Sequence, residues 1–232
     1  MEFTKSLIKG KLVKRYKRFF ADIKLDKEVV IAHCPNTGSM MGLLDEGNEV
    51  FISKNDDPKR KLKYTLEIIK VKNKLVGVNT HFANKIAYHG LSNNLIKEVA
   101  NNDKIKPEVF FDKETRFDFL VEKKDKKIFV EVKNVTLSRN EKYAEFPDTI
   151  TSRGSKHLRT LIEATKKGYK TYLLFLIQIQ GIESFKIAKD IDKEYYENYK
   201  LAKKAGVKFL AYRCKISSKK IKIEKKIKIT NV

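Results

Sequence analysis

The sequence predicts an α/β protein in which a small closed β-barrel precedes a larger domain of mixed helices and strands. Three observations support this fold class. Residues 1–80 contain five short strand-like segments separated by turn-forming residues. Beyond Asn79 the hydrophobic period changes, and helical segments alternate with apolar strands. The chain has 232 residues, of which 41% are hydrophobic, and this is enough for a sizeable core.

The N-terminal segments are rich in β-branched and aromatic residues, as strands are. Strands are predicted at residues 7–13, 19–25, 28–32, 49–53 and 64–71, with a short extension at 74–78. Clusters of Gly, Pro, Asn and Asp mark the turns, most clearly at residues 35–38 and 45–48. Five short strands in such a stretch are typical of a small closed barrel. A basic five-stranded barrel is compatible with an oligonucleotide-binding fold, and other small barrels fit the same pattern.

The remainder of the chain alternates between the two periods. Helices are predicted within residues 82–101, with a break at Gly90, and at 155–167 and 192–205. Strands are predicted at residues 109–122, 127–135, 171–179 and 207–212. The segment 171–179 is nearly continuously apolar, which indicates a central strand buried on both faces. The change of period predicts one domain at residues 1–84 and a second at 85–232, closely packed and without a flexible linker.

Several classes of protein are disfavoured by composition. The longest apolar run, residues 172–177, is far shorter than the ~20 residues that cross a bilayer. The first ten residues lack the apolar centre of a signal peptide. Two cysteines, Cys34 and Cys214, cannot build a disulfide framework or a four-cysteine zinc site. We therefore expect a cytoplasmic protein without membrane insertion, and no feature predicts its oligomeric state.

The strongest signal is charge: 51 Lys and Arg against 29 Asp and Glu give +22. Such an excess in a folded chain predicts a polyanionic partner, most often nucleic acid. No helix-turn-helix, zinc-finger or basic-zipper signature is present, so sequence-specific repression is disfavoured. The expected partner is DNA, bound electrostatically and without sequence specificity. An RNA-binding or RNA-processing role stays open, because a small barrel can bind single strands of either kind.

Two groups of residues are candidates for nucleic-acid binding. In the first hairpin, basic residues alternate with Tyr16, Phe19 and Phe20, a mixture that suits base stacking beside backbone contacts. The basic residues of this group are Lys14, Arg15, Lys17 and Arg18. A core role for the two phenylalanines fits as well. The second group, Arg153, Lys156 and His157, lies where a helix begins, and helix N-termini bind phosphates. A surface position for the histidine is the alternative.

Three residues form a candidate catalytic site. Asp118 interrupts an apolar strand, and Glu131 and Lys133 lie two residues apart on the next strand, hence on one face. A tight hairpin between the strands brings Asp118 close to Glu131. Two adjacent carboxylates repel unless a cation lies between them, and their oxygens suit Mg²⁺ or Mn²⁺. With a neighbouring ammonium, these are the parts of metal-assisted phosphodiester hydrolysis. A cross-strand ion-pair cluster without catalysis explains the same spacing.

Two further features are weaker candidates. Glu98, on the preceding predicted helix, is a candidate third metal ligand, with an exposed helix charge as the alternative. His33 and Cys34 resemble half of a metal site, but no nearby pair of Cys or His completes it. A structured turn is therefore favoured there, with Gly38 supplying an unusual backbone conformation.

A set of seven motifs runs along nearly the whole chain. They are HCPNTGSM at residues 33–40, GVNT at 77–80, RFDFL at 116–120, VEVKNVTL at 130–137, FPD at 146–148, TSRGSKHL at 151–158 and AGV at 205–207. This pattern resembles the sugar fermentation stimulation protein A (SfsA) family. One departure is the stretch AYHG at residues 87–90, which replaces a more helical family segment.

The resemblance implies an N-terminal oligonucleotide-binding barrel and a C-terminal domain similar to the PD-(D/E)xK nucleases. It also implies non-specific DNA binding and a regulatory link to sugar (maltose) metabolism. The nuclease-like motif carries over to Asp118, Glu131 and Lys133, with Glu98 as a candidate helix acid. Two hypotheses follow: a DNA-binding protein with a working Mg²⁺- or Mn²⁺-dependent nuclease site, or a DNA-binding regulator whose nuclease-like fold is catalytically silent.

Overall fold

The computed structural model describes residues 1–230, and its N-terminal part is a closed barrel. The strands are β1 (Ile8–Tyr16), β2 (Phe20–Lys24), β3 (Val29–His33), β4 (Glu49–Lys54), β5 (Tyr64–Val71) and β6 (Lys74–Gly77). Their order is β3-β2-β1-β4-β5, a parallel pairing of β3 with β5 closes the ring, and β6 extends β5. The predicted five-stranded barrel is confirmed.

The barrel forms because its strands alternate apolar and polar residues. In β2, Ala21 and Ile23 are buried, whereas the residues between and beside them face outward. Leu12, Val50 and Leu66 fill the interior from the neighbouring strands. Since successive side chains of a strand point to opposite faces, this period of two directs the lysines of the same strands to the outside.

The second part of the chain is a mixed α/β domain, as predicted. Its elements are α1 (Phe82–Ser92), a 3₁₀ turn (Lys97–Val99), β7 (Lys104–Phe110), β8 (Arg116–Lys123), β9 (Lys126–Val135), β10 (Tyr143–Phe146), α2 (Ser152–Lys166), β11 (Lys170–Ile177), β12 (Ser184–Ile187), α3 (Lys193–Lys204), β13 (Lys208–Ile216), β14 (Ile221–Lys226) and β15 (Lys228–Ile229). The main sheet has the order β14-β13-β11-β9-β8-β7, with β11 parallel to both β9 and β13. Strands β10, β12 and β15 form a small parallel sheet. The apolar segment at residues 171–177 is the buried central strand.

Two expectations about local structure are wrong. The single strand predicted at residues 109–122 is instead the end of β7, a turn and β8. The Asp112 carboxylate causes the turn, because it accepts hydrogen bonds from the N–H groups of Glu114 (2.8 Å) and Thr115 (2.6 Å). Helix α1 passes through Gly90 without a break, and a side chain at this glycine would collide with Ile223 of β14. The glycine thus allows helix and strand to pack closely without displacement of the Ile223 side chain.

The two parts share one continuous core, since a single cluster of buried residues includes barrel side chains and those around α2 and α3. The loop that carries Gly38 joins them through polar contacts. The Ser39 hydroxyl donates to the Asp148 carbonyl oxygen (2.7 Å), and the Met40 N–H donates to the Asp148 carboxylate (3.3 Å). The Gly38 N–H donates to the Asn36 side chain (2.9 Å), as in a structured turn. The unusual backbone conformation expected at Gly38 is wrong, since its φ is not positive; instead, a side chain there would collide with the Asp148 carboxylate. The division at residue 84 stays a prediction.

None of the helices within residues 1–230 combines the length and the apolar character needed to cross a lipid bilayer.

Candidate functional site

The site is built where β8 and β9 begin to separate. Phe119 pairs with Val130, and the next positions along the two strands are Asp118 and Glu131. The Asp118 carboxylate accepts two hydrogen bonds, from the backbone N–H of Val132 (2.7 Å) and from the side-chain amide of Asn84 in α1 (2.7 Å). The first bond ties the aspartate to the strand that carries the glutamate, so the two carboxylates are held side by side.

Glu131 is only 2% exposed, and its two carboxylate oxygens have different surroundings. Oε1 accepts a hydrogen bond from the Lys133 ammonium (2.7 Å) and is in close contact with Nδ1 of His157 in α2. Oε2 is buried and has no hydrogen-bond partner within the part of the chain that the structure describes. A buried carboxylate oxygen without a partner is costly, because it has lost its water and gained no donor.

The pKa values of the two carboxylates are shifted in opposite directions. Burial, together with the negative charge of Glu131, raises the pKa of Asp118 from 3.8 to about 6. Burial alone would also raise the pKa of Glu131, but Lys133 and His157 outweigh it and lower that pKa from 4.5 to about 2. A cation bound between the two carboxylates would offset the repulsion that helps to raise the pKa of Asp118.

A cleft of about 750 Å³ opens onto this pair. Its wall includes Arg153 and Lys156 from the first turns of α2, and Lys156 forms an exposed ion pair with Glu114 (2.9 Å). The N-terminus of α2 is capped by the Thr151 hydroxyl, which accepts from the Gly154 N–H (3.0 Å). The cleft thus places cationic side chains around the carboxylates, which suits a phosphodiester.

The structure brings six of the predicted site residues to this cleft. They are Asp118, Glu131, Lys133, Arg153, Lys156 and His157. His157 is 8% exposed and lies between Glu131 and Arg153, whose Nε is 3.5 Å from its Nε2. The histidine belongs to the cleft wall and not to the surface, because positions 153 and 157 share one face of α2 while Glu131 packs beneath it.

Glu98 does not join this site. Helix α1 ends at Ser92, so Glu98 lies on the 3₁₀ turn and not on a helix. Its carboxylate accepts hydrogen bonds from the Tyr212 hydroxyl (2.7 Å) and from the Lys226 ammonium (2.5 Å). Within residues 1–230, no group of three or more His, Cys, Asp or Glu side chains is arranged to hold a metal ion. The two carboxylates that lie side by side in the cleft are those of Asp118 and Glu131, whereas Glu108 and Glu114 of the cleft wall form ion pairs with Arg116 (2.8 Å) and Lys156 (2.9 Å).

Sequence reasoning missed the contribution of Asn84, which is 34 positions from its partner Asp118. It also missed Glu108, Phe110 and Arg116, which form part of the cleft wall. No spacing rule connects a helix residue with a strand residue so distant in the chain. The other three could have been noticed from their closeness in sequence to Asp118, had the turn at Asp112 been recognised.

The basic hairpin of the barrel has mixed roles. The Lys14 ammonium lies 5.6 Å from the centre of the Tyr16 ring, and Tyr16 stacks on Phe20 (5.5 Å between centres, 15° between planes). Arg15 donates to the carbonyl oxygens of Arg18 (3.0 Å) and Asn36 (2.7 Å), so it braces the hairpin against the neighbouring loop. Lys17 and Arg18 form the exposed turn between β1 and β2. Phe19 is 46% exposed, which argues against a core role.

Comparisons with known proteins agree with this architecture. A family model described as the sugar fermentation stimulation protein RE domain matches residues 81–220, and one described as the SfsA N-terminal OB domain matches residues 13–78. The chain is 82% identical over 231 residues to the sugar fermentation stimulation protein homolog of Pelagibacter ubique (strain HTCC1062), covering 100% of each. It is 45% identical over 231 residues to the homolog of Pseudoalteromonas atlantica, covering 98% of each.

The fold is also that of a solved structure, Pyrococcus furiosus SfsA in complex with Ca²⁺. The TM-score is 0.89 with 24% sequence identity, and the match covers 100% of this chain and 98% of the other. The domain order, the barrel and the matching family models all lead to one conclusion: the chain belongs to the sugar fermentation stimulation protein (SfsA) family.

Proposed function

We propose that the protein binds DNA without sequence specificity and hydrolyses phosphodiester bonds in the cleft, with Mg²⁺ or Mn²⁺ held by Asp118 and Glu131. One observation carries this proposal: a buried, unpartnered oxygen of Glu131 lies beside a second carboxylate whose pKa is raised to about 6. A divalent cation would relieve both conditions, since it supplies a partner for the oxygen and screens the two negative charges from each other.

The donor set fits a hard divalent cation, because both protein ligands are carboxylate oxygens. The Ca²⁺ complex of the P. furiosus relative supports this assignment, since Ca²⁺ also prefers oxygen ligands. When bound, such a cation makes a water more acidic and neutralises charge on a phosphate. The side chains of the cleft would hold the substrate and orient the attacking water. Lys133, 2.7 Å from Glu131, is placed to orient the attacking water.

The distribution of charge supports the proposed binding of DNA. Arg153 and Lys156 offer phosphate contacts at the cleft, and the exposed Lys14, Lys17 and Arg18 offer them on the barrel. The net charge of +22 supplies a field that is indifferent to base sequence. Binding of RNA by the barrel is the competing assignment, and competition between DNA and RNA of one sequence distinguishes the two.

A nicking assay tests the catalytic part of the proposal. Supercoiled and single-stranded DNA are incubated with wild-type protein, Glu131→Gln, Lys133→Ala and the control Glu163→Gln, an exposed change elsewhere on α2. We expect cleavage only with Mg²⁺ or Mn²⁺, its loss in Glu131→Gln, and a decrease of roughly 10²-fold or more in Lys133→Ala. Cleavage that persists in Glu131→Gln would refute the assignment of the site.

A second function is favoured by a different observation: Lys133 and His157 both contact Oε1 of Glu131, so internal groups already compensate part of the charge. The protein would then be a catalytically silent DNA-binding regulator. In that case DNA binding persists and DNA stays intact with Mn²⁺, whether or not Mn²⁺ raises the melting temperature of the protein. Metal-dependent stabilisation without cleavage of any DNA form would also support this alternative.

The family name of the curated relatives supports a further part of the proposal, a regulatory link to sugar (maltose) metabolism. Transcripts of maltose-utilisation genes, compared between a deletion strain and the same strain complemented with wild type, test it. Unchanged transcripts would refute the link.

The cytoplasmic location stays a prediction, and both cysteines are free and buried, as in a chain that needs no disulfide.

A further inference from the structure

Phe110 is an apolar side chain in a wet, charged cleft. It ends β7, the edge strand of the main sheet, and is 66% exposed. Apart from Phe110 and Val132, every residue that lines the cleft is polar or charged. Packing does not explain a phenylalanine at this position, because most of its surface remains in water and contributes nothing to the core. Single exposed apolar side chains are common on proteins, so it is the location of this one, on the wall of the cleft that holds Asp118 and Glu131, that suggests a ligand for the ring.

The Phe110 ring lies beside a cationic side chain, Arg116. Phe110 pairs with Arg116 across β7 and β8, and the guanidinium carbon lies 5.5 Å from the ring centre. Glu108 holds the same guanidinium through an ion pair of 2.8 Å. An arginine over one part of an aromatic ring, with the rest of the ring open, matches the combination of cation and aromatic side chain that binds unpaired bases.

The position of Phe110 relative to the carboxylates determines which base it could meet. Phe110 lies opposite Arg116 on the neighbouring strand, and Asp118 lies two residues beyond Arg116 on β8. The Cα atoms of Phe110 and Asp118 are therefore about 8 Å apart, one strand spacing across the sheet and two residues along it. The Phe110 ring is therefore close enough to the carboxylates to meet the base of a nucleotide that adjoins a phosphate held there.

We infer that Phe110, supported by Arg116, stacks on an unpaired base next to the phosphate that is cleaved, an inference that rests on the proposed function. The substrate class is DNA with unpaired bases, such as single strands, flaps or frayed ends. In an intact duplex both faces of each base are covered by its neighbours, so no face is available to the ring. Arg153 and Lys156, which line the same cleft, are placed to hold phosphates of the same strand.

Binding measurements with 2-aminopurine DNA test this inference. The full chain is titrated, in Ca²⁺, into single-stranded and duplex oligonucleotides of one sequence, and both anisotropy and 2-aminopurine fluorescence are recorded. The variants are Phe110→Leu, which keeps apolar volume without an aromatic face, and Phe110→Trp, which keeps the face. Leu201→Ala, which removes a 57% exposed side chain of α3, is the control.

We expect wild type and Phe110→Trp to bind the single strand more tightly than the duplex and to quench 2-aminopurine. Phe110→Leu should bind the single strand about fivefold more weakly or worse, equivalent to ~1 kcal/mol. Its quenching should be lost, while duplex binding and melting temperature stay unchanged. Leu201→Ala should behave as wild type.

The outcomes separate the inference from the function on which it rests. If Phe110→Leu quenches and binds the single strand as wild type does, the inference is wrong while DNA binding stands. A wild type that prefers the duplex also overturns it. If wild type binds neither DNA form, both the inference and the proposed function are wrong. Tighter binding to RNA of the same sequence would overturn the choice of DNA.

Discussion

Replacing Asp118 by asparagine should stabilise the metal-free protein at neutral pH. The folded-state pKa of Asp118 is raised to about 6 from 3.8, mainly by burial and by the charge of Glu131. This difference corresponds to about 3 kcal/mol of unfavourable free energy once the group is ionised. Asparagine carries no charge and can keep both hydrogen bonds: its oxygen accepts from Val132, and its amide donates to a flipped Asn84 side chain.

The size of the effect should depend on pH. Between about pH 4 and pH 6 the folded protein keeps a proton at Asp118 that the unfolded chain has released, so wild-type stability from this group falls as pH rises. The advantage of Asp118→Asn should be about 1 kcal/mol at pH 4.5 and about 3 kcal/mol at pH 7.5. Glu131 contributes little to this difference, because its pKa of about 2 places its loss of stability at lower pH.

Urea unfolding in EDTA at the two pH values measures the effect, with the exposed Asp125→Asn as the control for loss of one negative charge. The gap between variant and wild type should widen by about 2 kcal/mol, or roughly 4–8 °C in melting temperature. Mn²⁺ at a thousand times its Kd should reverse the order even at pH 7.5, since wild type alone gains about 4.1 kcal/mol, which exceeds the variant's advantage of about 3 kcal/mol. A gap that is equal at both pH values and equal to that of Asp125→Asn would refute the argument.

Three other changes have defined outcomes. DNA affinity, measured by anisotropy, should fall steeply as the salt concentration rises. Replacing Lys14, Lys17 and Arg18 of the barrel by glutamine together should reduce the slope of log affinity against log salt concentration by up to ~3. A slope equal to that of wild type would remove the barrel hairpin from the interface. Gly38→Ala should lower the free energy of unfolding by about 1–3 kcal/mol in urea, because the new methyl group meets the Asp148 carboxylate; unchanged stability would mean that the loop adapts freely. Glu98→Gln should leave metal-dependent nicking unchanged, since its carboxylate binds Tyr212 and Lys226 outside the cleft; loss of nicking at unchanged melting temperature would return Glu98 to the site.

Local sequence was sufficient for the elements whose signals are local. Alternation of apolar and polar residues produced the barrel strands, and an unbroken apolar run marked β11 as central. The centre of the candidate site was also local: Glu131 and Lys133 share a face because they are two residues apart, and a short hairpin places Asp118 beside them. Charge composition predicted the class of partner, because it does not depend on the fold.

Other features were decided only by the tertiary structure, because they join distant parts of the chain. His157 reaches Glu131 and Asn84 reaches Asp118 only once α2 and α1 have packed on the sheet. Glu98 was a candidate third ligand because a helix was predicted to carry it towards the site, but α1 ends at Ser92 and the Glu98 carboxylate binds Tyr212 and Lys226. The open face of Phe110 depends on which strand forms the sheet edge, and strand order is set by pairing energies that no single segment encodes.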